Sequence, residues 1–177
     1  IHFFLTPLPF YMLGNFLEGY TGSTMYWNAV TNLFLAELLT NAHGFLCIVT
    51  NHAGDDMYRF DRPCRPYSGS FHLRHVLASV DYNYGSDLVD FMHGYLNYQI
   101  EHHLWPNLSM RSYQKAAPLV KAICKKYGVP YVQQNCFWRL KKTVDIITGA
   151  TSMRQFPDAF EVSFLQVDAE YETSKSK

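Results

Sequence analysis

The sequence predicts an all-α membrane protein in which transmembrane helices are followed by a cytosolic helical cap. Two observations lead to this fold class. Residues 1–54 carry only two formal charges, Glu18 and Glu37, which is typical of segments that lie in lipid. Further along the chain, apolar residues recur at helical spacing and are followed by helix stop signals, as in the stretch that Gly128 and Pro130 close.

The composition excludes several classes of protein. The chain has 177 residues, of which 48% are hydrophobic, so it is long and apolar enough to bury a core and is not disordered over most of its length. Fifteen basic and fifteen acidic side chains cancel, so no net field favours a nucleic-acid partner. The four cysteines show no close pairing, which favours free thiols in a reducing compartment over a disulfide framework.

Residues 1–52 form the predicted transmembrane region. Residues 1–17 have no formal charge and are interpreted as the end of one span, so we expect the chain to be a piece of a longer polypeptide. A polar turn over 18–28 then leads to residues 29–50, where 22 residues hold one charge. At about 1.5 Å per residue this run can cross about 30 Å of hydrocarbon. The alternative is a core helix of a soluble α protein.

The charges that flank the second run predict its orientation. The preceding turn contains no Lys or Arg, whereas Arg59, Arg62 and Arg65 follow closely. Because basic residues stay on the cytoplasmic side of a membrane, residues 53–177 are expected to be cytosolic.

The cytosolic part is predicted to be helical over 53–145. Helices are expected over 71–80, over 88–104 after an N-cap at Asp87, and from Ser109 to Gly128. The last of these has a basic face that suits anionic lipid headgroups. Residues 146–177 become acidic and polar and are predicted to be a largely disordered tail.

One motif in the 88–104 helix points to chemistry. In Gln99-Ile-Glu-His102-His103-Leu-Trp-Pro106, helical spacing places Gln99, His102 and His103 within an arc of about 100°. Two imidazoles and an amide on one helix face can bind iron, copper or zinc. The alternative is a pair of surface histidines.

The stripe that precedes this motif favours the metal site. Its residues are Leu88, Phe91, Met92 and Tyr95, which predicts a buried face, and buried histidines need partners. Glu101 is interpreted either as an acceptor for a ligand's ring N–H or as a solvated carboxylate.

The segment from Asn97 to Pro106 resembles the third histidine box of the membrane fatty acid desaturases. It is most similar to the front-end and sphingolipid branches, whose box begins with Gln. The similarity extends to Thr50-Asn51-His52, where such enzymes carry an Asn-His pair. The resemblance implies that His52, Gln99, His102 and His103 ligate metal on the cytosolic side of a four-helix membrane bundle.

The same resemblance implies the reaction and its partners. It implies a non-haem di-iron (Fe) centre that uses O2 to place a double bond in a fatty acyl or sphingoid chain. It also implies cytochrome b5, fused or separate, as electron donor, and the endoplasmic reticulum membrane as location. A related di-iron hydroxylase and a non-catalytic membrane metal-binding protein remain alternatives.

The chain departs from the family's pattern in one important respect. The first two histidine boxes, HxxxH and HxxHH, do not occur in it. We therefore expect this chain to correspond to the C-terminal half of a desaturase and to be inactive alone.

The sequence leaves the roles of four further residues open. His72 and His75 have helical i, i+3 spacing without a third ligand, so a metal role is not favoured. His43 lies on the polar stripe of the second run, where a hydrogen bond between helices is favoured over ligation. Glu37 is a functional candidate because of its place inside a span, although a structural hydrogen bond fits equally well. His93 is a poor partner for the motif because it faces away from His102.

Overall fold

Helices make up most of the protein in a computed structural model that describes residues 2–17 and 21–175, which confirms the predicted all-α class. The chain divides into two units, residues 1–45 and residues 46–177. Each unit is described by itself below.

The first unit consists of two short helices and most of a long one. Helices α1 (His2–Leu5) and α2 (Leu8–Gly14) are separated at Pro7, and α3 (Gly22–Ile48) begins after Thr21. The Thr21 hydroxyl accepts a hydrogen bond from the Thr24 backbone N–H at 3.2 Å, which caps the new helix. Most of the expected polar turn is therefore helical, and its residues 18–20 lie outside the described part of the chain.

Glycine at position 22 allows two segments of the first unit to approach closely. A Cβ atom there would lie 2.1 Å from the Tyr11 carbonyl oxygen, a distance that no side chain tolerates. The Gly22 N–H also donates to the Asn15 side chain at 3.2 Å.

Within the described residues, one helical segment is long and apolar enough to cross a membrane. It runs over Gly22–Asn51, 30 residues with a mean hydropathy of 1.5, and only 11% of its most apolar window is buried. The segment expected to end an earlier span forms α1 and α2, which are separate helices because Pro7 has no N–H to continue a helix.

The second unit contains six helices and two pairs of very short parallel strands among its described residues. Strand β1 (Tyr58–Arg59) pairs with β4 (Arg154–Gln155), and β2 (Asp81–Tyr82) pairs with β3 (Gln133–Gln134). The helices are α4 (Gly69–Leu77), α5 (Asp87–Met92), α6 (Gln99–Leu104), α7 (Met110–Tyr127), α8 (Cys136–Ile147) and α9 (Asp158–Lys175).

The helix expected over 88–104 is two helices, α5 and α6, because the chain turns between them. Gly94 and Tyr95 both have left-handed backbones, with φ near 60°. Ser86 rather than Asp87 caps α5, since its hydroxyl accepts from the Val89 N–H.

The stripe expected to be buried on α5 is exposed. Leu88 is 70% and Phe91 is 69% exposed, so the inference from this stripe to a buried motif was wrong. A tight turn instead buries the motif: the Asn97 amide and the Tyr98 hydroxyl both donate to the buried Asp90 carboxylate.

Helix α7 closely follows the sequence prediction, and Gly128 ends it in the left-handed conformation with φ 68°. The face that it buries is narrow. Val120 and Cys124 pack against Val76 and Ile100, whereas Leu119 remains 65% exposed.

Residues 158–175, expected to belong to a mobile tail, form helix α9. Ion pairs hold it against the chain before and within α4. Asp158 pairs with Arg62 at 2.7 Å, and the buried Glu161 pairs with Arg74 at 2.9 Å. The acidic composition that suggested disorder therefore provides partners for these arginines.

Candidate metal centre

The turn that carries His52 is held in place by buried hydrogen bonds. His52 follows a 3₁₀ turn over Val49–Asn51. The fully buried Asn51 amide donates to the carbonyl oxygens of Cys47 at 3.2 Å and Leu96 at 2.9 Å. The second of these bonds joins the turn to the loop that leads into α6.

Three of the four predicted ligands meet around the Gln99 side chain. The Gln99 amide nitrogen lies 3.2 Å from His52 Nε2 and 3.0 Å from His103 Nε2. The ring centroids of His52 and His103 are 5.0 Å apart, although the two residues are distant in sequence. Because an amide nitrogen only donates hydrogen bonds, each of these Nε2 atoms accepts through a lone pair that faces the Gln99 amide.

His102 lies at the edge of this group. Its ring centroid is 5.9 Å from that of His103, and its Nδ1 atom is 3.3 Å from the Tyr113 hydroxyl on α7. The same hydroxyl donates to the Trp105 carbonyl at 3.0 Å. His102 is thereby oriented by the residues that follow the motif.

Burial keeps the central imidazoles neutral. Desolvation, together with the neighbouring His52, His75 and His102, lowers the pKa of His103 to about 4. Desolvation also lowers the pKa of His52. Neutral imidazole is the form that binds metal, so at neutral pH both rings are in the ligand state.

A fourth imidazole, for which the sequence did not favour a metal role, reaches this group from α4. The His75 ring stacks on the His103 ring, with centroids 5.2 Å apart and planes at 24°. Beside them lies a cavity of about 360 Å³, lined by His52, Cys64, Phe71, Arg74, His75, Ala78, Ser79 and His103.

Behind the motif, a buried carboxyl pair supports α6. Glu101 and Asp81 are both fully buried, and the Tyr131 hydroxyl bonds Asp81 and lies 3.1 Å from Glu101 Oε1. Asp81 Oδ1 accepts the Ile100 backbone N–H at 2.9 Å, which fixes the first turn of α6.

Burial raises the pKa of both carboxyls. Desolvation, and then the charge of Glu101, raises the pKa of Asp81, while desolvation raises the pKa of Glu101. Glu101 is thus neither solvated nor bonded to a ligand histidine. The sequence missed Asp81 and Tyr131, since Asp81 lies in a stretch that looks like an ordinary turn.

A buried arginine binds the backbone on both sides of His52. Arg139 of α8 is fully buried and donates to the carbonyl oxygens of Thr50 at 3.3 Å and Ala53 at 2.8 Å. Its charge is paired with Asp56 at 2.7 Å. Sequence reasoning missed Arg139 because it lies in a basic stretch that resembles a solvated helix.

The donor chemistry fits part of an iron site. Within 2–17 and 21–175, no group of three or more His, Cys, Asp or Glu side chains is arranged so that it could hold a metal ion. Neutral imidazoles do meet, however, and the buried Gln99 Oε1 has no hydrogen-bond partner among the described residues. Nitrogen and oxygen donors of this kind suit iron, so these residues fit as an incomplete ligand set.

The remaining histidines and Glu37 lie elsewhere. His93 Nδ1 bonds the Val89 carbonyl oxygen at 2.8 Å, and His72 lines a separate apolar cavity with Trp105. His43 and Glu37 are on α3 in the first unit. Glu37 accepts a hydrogen bond from the Asn41 amide at 3.0 Å.

Comparison with known proteins gives a consistent result. The family model described as "Fatty acid desaturase" matches residues 1–135. The chain is 27% identical over 111 residues to "Delta(5) fatty acid desaturase A" of Dictyostelium discoideum, an alignment covering 60% of this chain and 24% of that protein.

Shorter alignments show higher identity. The chain is 51% identical over 43 residues to "Fatty acid desaturase 3" of Bos taurus, covering 24% of this chain and 10% of that protein. It is 41% identical over 64 residues to "Acyl-lipid (8-3)-desaturase" of Mortierella alpina, covering 36% and 14%. The chain thus spans about a quarter or less of each of these relatives, and no solved structure matches it.

Proposed function

This chain belongs to the fatty acid desaturase family, and from that premise we propose that it is the C-terminal part of a membrane desaturase. The proposed enzyme introduces a double bond into a fatty acyl or sphingoid chain, using O2 and electrons from cytochrome b5. Its first box position is Gln99, as in the front-end branch that the motif resembles. Two similar proteins whose names specify a Δ5 and an (8-3) desaturase support the fatty acyl substrate.

The observation that carries this proposal is the meeting of His52, Gln99 and His103. Together with His102, these residues would hold iron. When bound, a di-iron centre supplies the activation of O2 that the removal of two hydrogens from adjacent carbons requires. The chain's own contribution is to keep the imidazoles neutral and to orient them through Asn51, Tyr113 and Arg139.

Two iron ions need more donors than these four residues offer. We therefore propose that further ligands come from a part of the protein outside these 177 residues, and that the chain alone is inactive.

The membrane setting is part of the proposal. The segment Gly22–Asn51 is long enough to span, and it leaves most of its apolar surface exposed. Arg59, Arg62 and Arg65 follow it, which supports a cytosolic position for residues 53–177 and agrees with an enzyme of the endoplasmic reticulum membrane.

The test uses the full-length protein that contains this chain, expressed in cells that lack the activity. We expect His103→Ala and His102→Ala to abolish the unsaturated product, measured by gas chromatography of cellular lipids, and to lower bound iron. His93→Ala, which alters a histidine outside the group, should retain both. Normal product from either ligand variant would contradict the assignment. Hydroxylated lipid in place of unsaturated lipid would favour the hydroxylase alternative.

A further inference from the structure

Beside the three histidines predicted as ligands, the group contains a fourth, and we propose that His75 is a metal donor of the same centre as His52 and His103. This inference rests on the proposed function, because it extends the ligand set of that site. His75 belongs to α4, a helix that comes between the His52 turn and the motif in sequence.

The separations between the rings are short enough for imidazoles that share an ion, and they also fit ordinary ring packing. With metal–nitrogen distances of about 2.1 Å and an angle of roughly 90–110° at the metal, two ring centroids are about 4.5–5.2 Å apart. The centroid of His103 lies 5.0 Å from that of His52 and 5.2 Å from that of His75. His103 therefore has two histidine neighbours at this spacing.

The ring nitrogens of His75 are available for this role. The ring lies between Phe71, whose centroid is 4.3 Å away edge-on, and His103. Among the described residues, no hydrogen bond to either nitrogen of His75 is found, and the ring borders the cavity of about 360 Å³ that His52 and His103 also line. At 24° the two rings are nearly parallel, so His75 would turn about χ2, a broad torsion, to direct a nitrogen at a shared ion.

Helix α4 holds His75 near this position. The Ser68 hydroxyl caps its first turn by accepting the Phe71 N–H at 3.2 Å. In its last turn, Arg74 is paired with the buried Glu161 at 2.9 Å. A donor on a helix fixed at both ends needs only a side-chain rotation to bind.

Titration of the detergent-solubilised full chain with Co²⁺ alone tests the inference without any enzyme assay. His75→Phe keeps an aromatic ring against His103 but removes both nitrogens, so we expect its Kd for Co²⁺ to rise by about 10- to 100-fold. His75→Cys restores a donor of a different kind and should give a thiolate-to-cobalt charge-transfer band that the parent chain lacks. His72→Phe, one turn away on the same helix, should bind Co²⁺ like the parent.

The outcomes separate this inference from the function on which it rests. An unchanged Kd in His75→Phe, with no charge-transfer band in His75→Cys, would show that His75 only packs against His103 and would overturn the inference. If His103→Ala also left Co²⁺ binding unchanged, the proposed metal centre itself would fail. Near-ultraviolet circular dichroism of each variant shows whether the fold is kept.

Discussion

At the scale of single residues, Gln99 affects the pKa of two neighbouring histidines at once. Its amide nitrogen lies within hydrogen-bond distance of His52 and His103, and the group is neutral. Burial can therefore lower the pKa of both rings with no nearby negative charge from position 99 to oppose it. A carboxylate at the same position would reverse this balance.

We expect Gln99→Glu to raise the pKa of His103 from about 4 by about 1 to 3, because an opposite charge within a few ångströms favours the imidazolium. The metal-free chain serves for this measurement, by NMR titration of the histidine ring signals. Gln155→Glu, at an exposed position on β4, should leave the His103 titration unchanged. An unaltered pKa in Gln99→Glu would show that residue 99 does not face this ring.

At the scale of elements, α8 stabilises the loop that follows His52. Arg139 and Lys142 both contact the Asp56 carboxylate, at 2.7 Å each. Burial alone would raise the pKa of Asp56, but these hydrogen bonds and charges outweigh it, so the pKa is lowered. The folded protein therefore favours ionised Asp56 more strongly than the unfolded chain does.

This shift predicts a pH dependence of stability. The contribution of Asp56 is fully present above the unfolded value, which is near 3.8, and is lost as the pH falls through the lower folded value. At pH 7, Asp56→Asn should reduce the free energy of unfolding by about 3–5 kcal/mol, because it leaves Arg139 buried without its carboxylate. The difference from the parent should shrink in acid.

Urea denaturation at neutral and acidic pH measures both effects. The exposed Asp61 offers a matched control, and Asp61→Asn should change the free energy of unfolding by less than about 0.5 kcal/mol. A loss for Asp56→Asn that does not depend on pH would mean that the ion pair is not its cause.

At the scale of the whole molecule, the histidines lie in one part of the chain, and some of the residues that stabilise the elements around them lie in another. The family match covers residues 1–135, which include all the histidines of the group. Arg139 and helix α9 lie beyond it, yet α9 pairs with Arg74 of α4 through Glu161, and Asp168 accepts the Ser70 N–H at 3.3 Å. Helix α9 thus stabilises the helix that carries His75.

A chain that ends at Pro157 tests this dependence. Without Glu161 and Asp168, α4 loses a buried ion pair and an acceptor for its first turn, so we expect its backbone amides to exchange with deuterium about tenfold faster or more. Hydrogen-exchange mass spectrometry of the 69–77 region gives the measurement. Helix α8, which Arg139 joins to the turn before His52, is the internal reference and should keep its protection. Unchanged exchange in α4 would show that α9 does not stabilise it.

Local patterns in the sequence predicted the helical class and helix α7 with its left-handed Gly128, and the resemblance of the motif suggested four residues of the candidate site. These features depend on local patterns: helical spacing, a capping glycine, and a motif of adjacent donors. Local spacing also suggested one long helix over 88–104, which was wrong because a pair of left-handed residues at 94 and 95 turns the chain.

Which histidines meet, and what surrounds them, depends on the folded structure. His52, His75 and His103 come from three separate elements, and their proximity follows from buried contacts made by Asn51, Asp81 and Arg139. No spacing along the chain encodes such contacts. The physical reason is that a buried polar group must find a partner wherever the fold provides one, and that partner can be dozens of residues away.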